Sequence, residues 1–303
     1  MDEVVKLKPA IKSYIWGGQY FQKYFNSDLD VISELWILSL RGKDSSVIAS
    51  GPNSGKPLVD ILTKEDIGPL GERFPYFPLL IKLIDAKENL SVQVHPSDEY
   101  ALKNENSFGK SEMWHIISAD QGAGLYIGLK KDYSKEEIEV LLRNNNILEA
   151  MNFFEVKPGE TYVINPGTLH AIGKGVRLIE IQQNSDLTYR LYDYLRKDAN
   201  GNYRELHIDK ALKVIDYQKY KRVDTGSSLL VENQYFKVSK YEVNDELTIS
   251  ADEGSFVSFT FLNGEGLVND IPYHRFETFF VPFNKKAVIK GQGTIVASSI
   301  GNK

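Results

Sequence analysis

Three stretches of the chain carry side chains whose type and spacing suit metal-assisted acid-base chemistry. In LSVQVH, residues 90–95, strict alternation puts Leu90, Val92 and Val94 on one face of a strand and Ser91, Gln93 and His95 on the other. The polar face offers two metal donors two residues apart, close enough to converge on one ion inside a barrel. In GKSEMWHII the same period aligns Glu112 with Trp114 and Ile116, and turns His115 and Ile117 the other way. A carboxylate aimed inward among Trp and Ile is costly unless it is paired or metal-bound, so Glu112 is the better ligand candidate of the segment. In VRLIEIQQNSDLTYRLYDY, Glu180 lies among Leu178, Ile179 and Ile181, and Arg190 between Tyr189 and Leu191. Charges in such apolar settings are paired, either as a structural salt bridge or as catalytic groups.

The elements that must position these groups are short strands. Aromatic residues make up 12% of the chain and Gly and Pro are spread throughout, which fits an all-β barrel or sandwich with a few short helices. Helices are expected from Ser134, where Ser134 and Glu137 form a capping-box pair, over roughly Leu206 to Tyr217, and from Ser97 or Asp98. The polar stretch KYKRVDTGSS, followed by the strand-like runs YFKVSKYEV, FVSFTFL and ETFFVPF, marks a boundary. It divides a catalytic domain, residues 1–222, from a smaller β-domain, residues 223–303.

Bulk properties exclude several classes. A chain of 303 residues with 42% hydrophobic content can bury a large core, and its net charge of −5 without blocks of one sign offers no footprint for nucleic acid. There is no cysteine, so any metal must be held by nitrogen and oxygen. No apolar run has the length of a signal peptide or a membrane span, and a cytoplasmic protein without a membrane partner is expected. The loop GPNSGKP at residues 51–57 imitates a phosphate-binding loop, but it is one residue short and has Pro57 where a hydroxyl is needed. His207, beside Leu206 and Ile208, is expected to pack or cap, and His274 to lie on a strand surface.

In KPGETYVINPGTLHAIGKG, a strand through Tyr162 to Ile164 enters the turn Pro166-Gly167 and delivers His170. This pattern resembles the second motif of the cupin superfamily, whose histidine is a metal ligand. With YIWGG, PLLIKLIDAKENLSVQVHPSDEYA, GKSEMW, EIQQNSDLTYRLYDY and LHIDKAL in the same order, the chain resembles the type I mannose-6-phosphate isomerases from about residue 14 to 216. The span between Glu112 and His170 leaves no room for the helical insertion of longer members, so the resemblance is to a compact form. The early motif reads SELWILS, keeping Glu34, Trp36 and Ser39 but not their polar neighbours.

The resemblance implies cupin (double-stranded β-helix, jelly-roll) barrels in tandem, the second without a metal of its own. It implies interconversion of mannose 6-phosphate and fructose 6-phosphate through an enediol. It assigns Gln93, His95, Glu112 and His170 to one Zn2+, with other divalent metals compatible, and carries the family's essential arginine to Arg190, its lysine to Lys110 and its acids to Glu180 and Asp186. Proton transfer falls to Glu180 or Lys110, with Asp186 next. Ser91, Lys110 and Arg190 are candidate phosphate contacts, and Trp16 lines the cavity. Arg190 would either anchor the phosphate or sit beside the enediolate. Two rivals keep the same pocket: a non-catalytic sugar-phosphate sensor, and another metal-dependent cupin enzyme. A monomer and a homodimer are both compatible with the sequence.

Overall fold

The structure, a computed structural model, describes residues 1, 3–198 and 200–302. Two antiparallel sheets build the first barrel. One has six strands in the order Thr161–Ile164, Glu112–Ala119, Val176–Gln183, Leu79–Ala86, Glu34–Leu38 and Ala10–Lys12; the other has five, Tyr189–Tyr192, Val92–Val94, His170–Ile172, Gly124–Leu129 and Met151–Glu155. Between them lies a core that includes Trp16, Ile84, Leu90, Trp114, Ile127 and Ile172.

Both sheets are covered outside as well. Val92 and Val94 turn outward into a second core with Ile138, Leu142, Ile147 and Leu212 from the helical segments. Leu35, Leu83 and Ile181, on the outer face of the six-stranded sheet, pack against Phe256, Phe280 and Val296 of the C-terminal sheet. A strand covered on both faces needs apolar residues at every position rather than at alternate ones, and LLIKLIDA, residues 79–86, is buried along its whole length. Its single lysine is therefore anomalous.

The C-terminal runs form the expected strands: Lys237–Ser250, Val257–Val268, Thr278–Val281 and Lys286–Ser299 belong to an eight-stranded sheet. One face buries an aromatic cluster in which Phe261 and Tyr273 stack with ring centroids 3.6 Å apart. The opening strand Val5–Lys8 completes this sheet by pairing with Thr278–Val281, Val5 opposite Phe280. No described helix is long and apolar enough to cross a membrane.

The helix from Ser134 carries the capping box read from the sequence: Ser134 N–H donates to Glu137 Oε2 at 2.7 Å and Glu137 N–H to Ser134 Oγ at 3.2 Å. Ser97 caps Asp98–Asn104, also as expected. The helix expected over Leu206 to Tyr217 is shorter, only Ile208–Ala211. Its flanks are claimed by neighbours, His207 N–H donating to the Arg190 carbonyl and Asp216 N–H to that of Gly167, so the spacing of Ile208, Leu212 and Ile215 serves core burial without a continuous helix.

Leu83 is fully buried where the six-stranded sheet meets the C-terminal sheet. Leu83→Ala removes its contacts on both sides and is expected to cost about 2–5 kcal/mol of unfolding free energy, measured by urea denaturation.

Candidate metal centre and active site

The donors come from different strands brought into register. Gln93 lies opposite His170 on one neighbour strand and opposite Arg190 on the other, so these three residues form one row across the sheet. Glu112 opens its own strand opposite Ile164, a few residues before the turn that delivers His170. In that turn Gly167 adopts φ +87°, which other residues rarely tolerate, and its N–H donates to the His95 carbonyl at 2.8 Å. The backbone around one histidine thus fixes the approach of the other.

His95, Glu112 and His170 converge, with one ligand-type atom from each lying within 4.8 Å of the others and all three residues buried. His95 Nδ1 is 2.8 Å from the Leu187 carbonyl and His170 Nδ1 is 2.9 Å from that of Thr168. A carbonyl only accepts, so each Nδ1 carries the hydrogen and each Nε2 presents a lone pair. Those lone pairs face the Glu112 carboxylate, His95 Nε2 at 3.2 Å from Oε1 and His170 Nε2 at 3.7 Å from Oε2.

Electrostatics fixes the charge states. Burial, with the Lys110 ammonium beside it, pushes the His95 imidazole down to about 4; burial likewise lowers His170. Burial would raise the Glu112 carboxyl, but Lys110 and His95 hold it well below the usual carboxylate range. The result is two neutral imidazoles and one carboxylate, all acceptors aimed at one another, and the His170 Nε2 lacks a hydrogen-bond partner. This is the set of protonation states that ligation requires, so the residues fit a divalent cation. Lys110 supplies the only neighbouring positive charge among the contacts described, pairing with Glu112 Oε1 and lying 3.4 Å from His95 Nε2.

Above this group opens a cavity of about 240 Å³ whose walls include Gln93 and Lys110. Every other site residue expected from the sequence lines it too. Trp16 is buried and stacks on Tyr14 at 5.5 Å. Ser91 accepts a hydrogen bond from Arg190 Nε at 3.2 Å, and Arg190 Nη1 donates to the Glu205 carbonyl at 3.0 Å. Asp186 sits largely exposed and ion-paired with Arg41.

Glu180 belongs to a row across four strands, Trp36, Lys82, Glu180 and Trp114. Trp114 Nε1–H donates to Glu180 Oε1 at 2.8 Å, Lys82 Nζ lies 2.9 Å from Glu180 Oε2 and 3.8 Å from Glu34 Oε2, and Trp36 Nε1–H donates to Glu34 at 2.7 Å. Burial alone would lower Lys82, but its two carboxylates raise it above the ordinary lysine value, so it stays charged. Sequence reasoning missed Lys82, although a lone lysine in LLIKLIDA was the available signal. It also missed Arg204, which reaches the cavity from a loop without a distinctive motif. His115 turns to the opposite face, its Nδ1 2.9 Å from Thr161 Oγ1. His207 occupies the N-cap position of Ile208–Ala211 without a side-chain capping bond, its Nδ1 instead accepting from Arg190 N–H at 3.2 Å, and His274 is exposed one residue beyond the strand Ile271–Tyr273.

A family model for the type I phosphomannose isomerase catalytic domain matches residues 4–115. The mannose-6-phosphate isomerase ManA of Bacillus subtilis is 36% identical to this chain over 278 residues, 87% of each protein. The mannose-6-phosphate isomerase of Streptococcus mutans is 33% identical, over 88% of this chain and 87% of that one. A crystal structure of the Bacillus subtilis mannose 6-phosphate isomerase superposes with a TM-score of 0.88 at 34% identity, over 99% of this chain and 100% of that one.

Burial also pushes His115 down to about 4. Below the ordinary imidazole value of 6.5 and above 4, the unfolded chain takes up protons that folded His95 and His115 exclude, so stability falls as pH falls through that window. The metal-free protein is expected to lose about 2 kcal/mol per histidine between pH 7 and 5 in urea unfolding. His115→Asn should remove the share of that slope that His115 contributes and leave the share of the two site histidines.

Proposed function

Because the chain belongs to the type I phosphomannose isomerase family, we propose that it interconverts mannose 6-phosphate and fructose 6-phosphate in the cytoplasm. The observation that carries this reading is the buried convergence of His95, Glu112 and His170 beneath a cavity lined by charged side chains. Gln93, His95, Glu112 and His170 would hold one divalent cation, zinc by the family resemblance, since two imidazoles, one amide and one carboxylate would also accept other divalent metals. Bound there, the cation supplies Lewis-acid stabilisation of the negative charge that builds on the sugar oxygens. Catalysis is assigned to residues 1–222, and residues 223–303, whose sheet also takes in the strands Val5–Lys8 and Val47–Ile48, are given no metal role.

The chain's own groups handle the proton. Isomerisation removes the hydrogen from C2 of the aldose as a proton, its electrons forming the C1–C2 double bond while O1 gains a proton. Return of a proton to C1 and loss of one from O2 gives the ketose. Lys110, which touches both the donor group and the cavity, and Glu180, which lines the cavity from the strand next to that of Glu112, are the two groups assigned to this transfer. Arg190 is held by Ser91 and a backbone carbonyl and has no carboxylate partner within 4.0 Å among the described residues, so its full charge is available beside the enediolate. Asp186, which lines the cavity but is largely exposed and ion-paired with Arg41, comes after Lys110 and Glu180 as a candidate for the transfer. Trp16 and Ser91 bound the space the sugar occupies.

A coupled assay with mannose 6-phosphate is expected to show activity that a chelator abolishes and zinc restores; no turnover in the zinc-loaded protein would refute the proposal. Arg190→Ala should keep its metal and lose about 100- to 1,000-fold in kcat/KM. Of Lys110→Gln and Glu180→Gln, the variant that stops exchange of the C2 hydrogen with deuterated solvent identifies the group that moves the proton.

A further inference from the structure

Four cationic side chains line the cavity: Lys82, Lys110, Arg190 and Arg204. Two are neutralised where they stand, Lys82 by Glu180 and Glu34 and Lys110 by Glu112. Arg190 meets only a hydroxyl and a carbonyl. Arg204 shares Asp193 with Arg196, so two guanidinium groups face one carboxylate. The surplus positive charge of the cavity is therefore concentrated at Arg190 and Arg204. A dianion would be repelled from the wall that carries Glu34 and Glu180.

The hydrogen bonds of Arg204 prepare its side chain for a ligand. Asp193, itself buried, accepts from Arg204 Nε at 2.6 Å and from Nη2 at 2.5 Å. That bidentate grip fixes the plane of the guanidinium, and Nη1 has no partner among the described residues. Arg196 does not line the cavity; its Nη1 donates to the Asn89 carbonyl at 2.6 Å and its Nη2 to Asp193 at 2.5 Å. It thereby offsets the charge of Asp193 and leaves that of Arg204 uncompensated.

We propose that Arg204 binds the phosphate group of the substrate and gives the site its preference for phosphorylated over free hexoses. This rests on the isomerase reading for the substrate and deepens it by assigning the phosphate end of the cavity. A planar, pre-oriented guanidinium is suited to phosphate oxygens, whereas a lysine would meet them as a mobile point charge. Asp193 acts as a positioning residue for that fork.

The test is steady-state kinetics of Arg204→Gln and Arg204→Lys, with inorganic phosphate as the competitive probe. Arg204→Gln should raise KM for mannose 6-phosphate 10- to 100-fold with a far smaller fall in kcat, and weaken inhibition by inorganic phosphate in parallel. Arg204→Lys should lie between. Unchanged KM and unchanged phosphate inhibition in both folded variants would overturn the proposal, as would a fall in kcat at constant KM. Phosphate binding can also be followed without turnover, through the fluorescence of Trp16 and Trp36 in the cavity wall. If the wild-type chain failed to isomerise mannose 6-phosphate, the functional reading would fall, while equal phosphate affinity of wild type and Arg204→Gln would refute the role of Arg204 separately.

Discussion

Two imidazole lone pairs and a carboxylate are buried face to face, and the rest of the first barrel exists to keep them there. Left to themselves, His95, His170 and Glu112 would relax by rotating a ring or taking up a proton. The Leu187 and Thr168 carbonyls prevent rotation by holding each Nδ1–H, and burial opposes protonation of the rings. Such an arrangement is unfavourable in an empty protein and favourable around a cation, so folding stores binding free energy for the metal in advance.

The same sheet carries a second solution to buried charge. Lys82 and its two carboxylates are all partnered, with indole N–H donors from Trp36 and Trp114 completing the row. A satisfied network of this kind holds its geometry because removing any member strands the others. The cavity therefore sits between a deficient cluster that needs a cation and a complete one that does not.

Much of this was legible from alternation alone. Period 2 in LSVQVH and SEMWHI separated Gln93 and Glu112 from the outward-facing Val92, Val94 and His115, and the capping box at Ser134 fixed a helix start. Charge pairing was less legible, because partners come from strands distant in sequence. Glu180 was noticed as a carboxylate in apolar company, but its lysine sits nearly a hundred residues earlier in a strand covered on both faces. Arg204 was invisible for another reason: its loop has neither periodicity nor motif, and only the grip of Asp193 shows that its guanidinium is held in place. The Leu206–Tyr217 segment failed in the opposite direction, since helical spacing of apolar residues reports burial and leaves open which partners the backbone chooses.

The opening strand Val5–Lys8 is hydrogen-bonded to Thr278–Val281, so one sheet joins the two extremes of the chain. One edge of that strand meets Val47–Ile48, nearby in sequence, but the edge that Thr278–Val281 covers must wait for a partner far along the chain. Closing so long a loop is entropically slow, and the exposed edge is open to wrong partners meanwhile. Completion of the C-terminal sheet is thereby tied to the arrival of Thr278–Val281, and a product cut short before that strand would be left with a frayed edge, marked for removal by quality control.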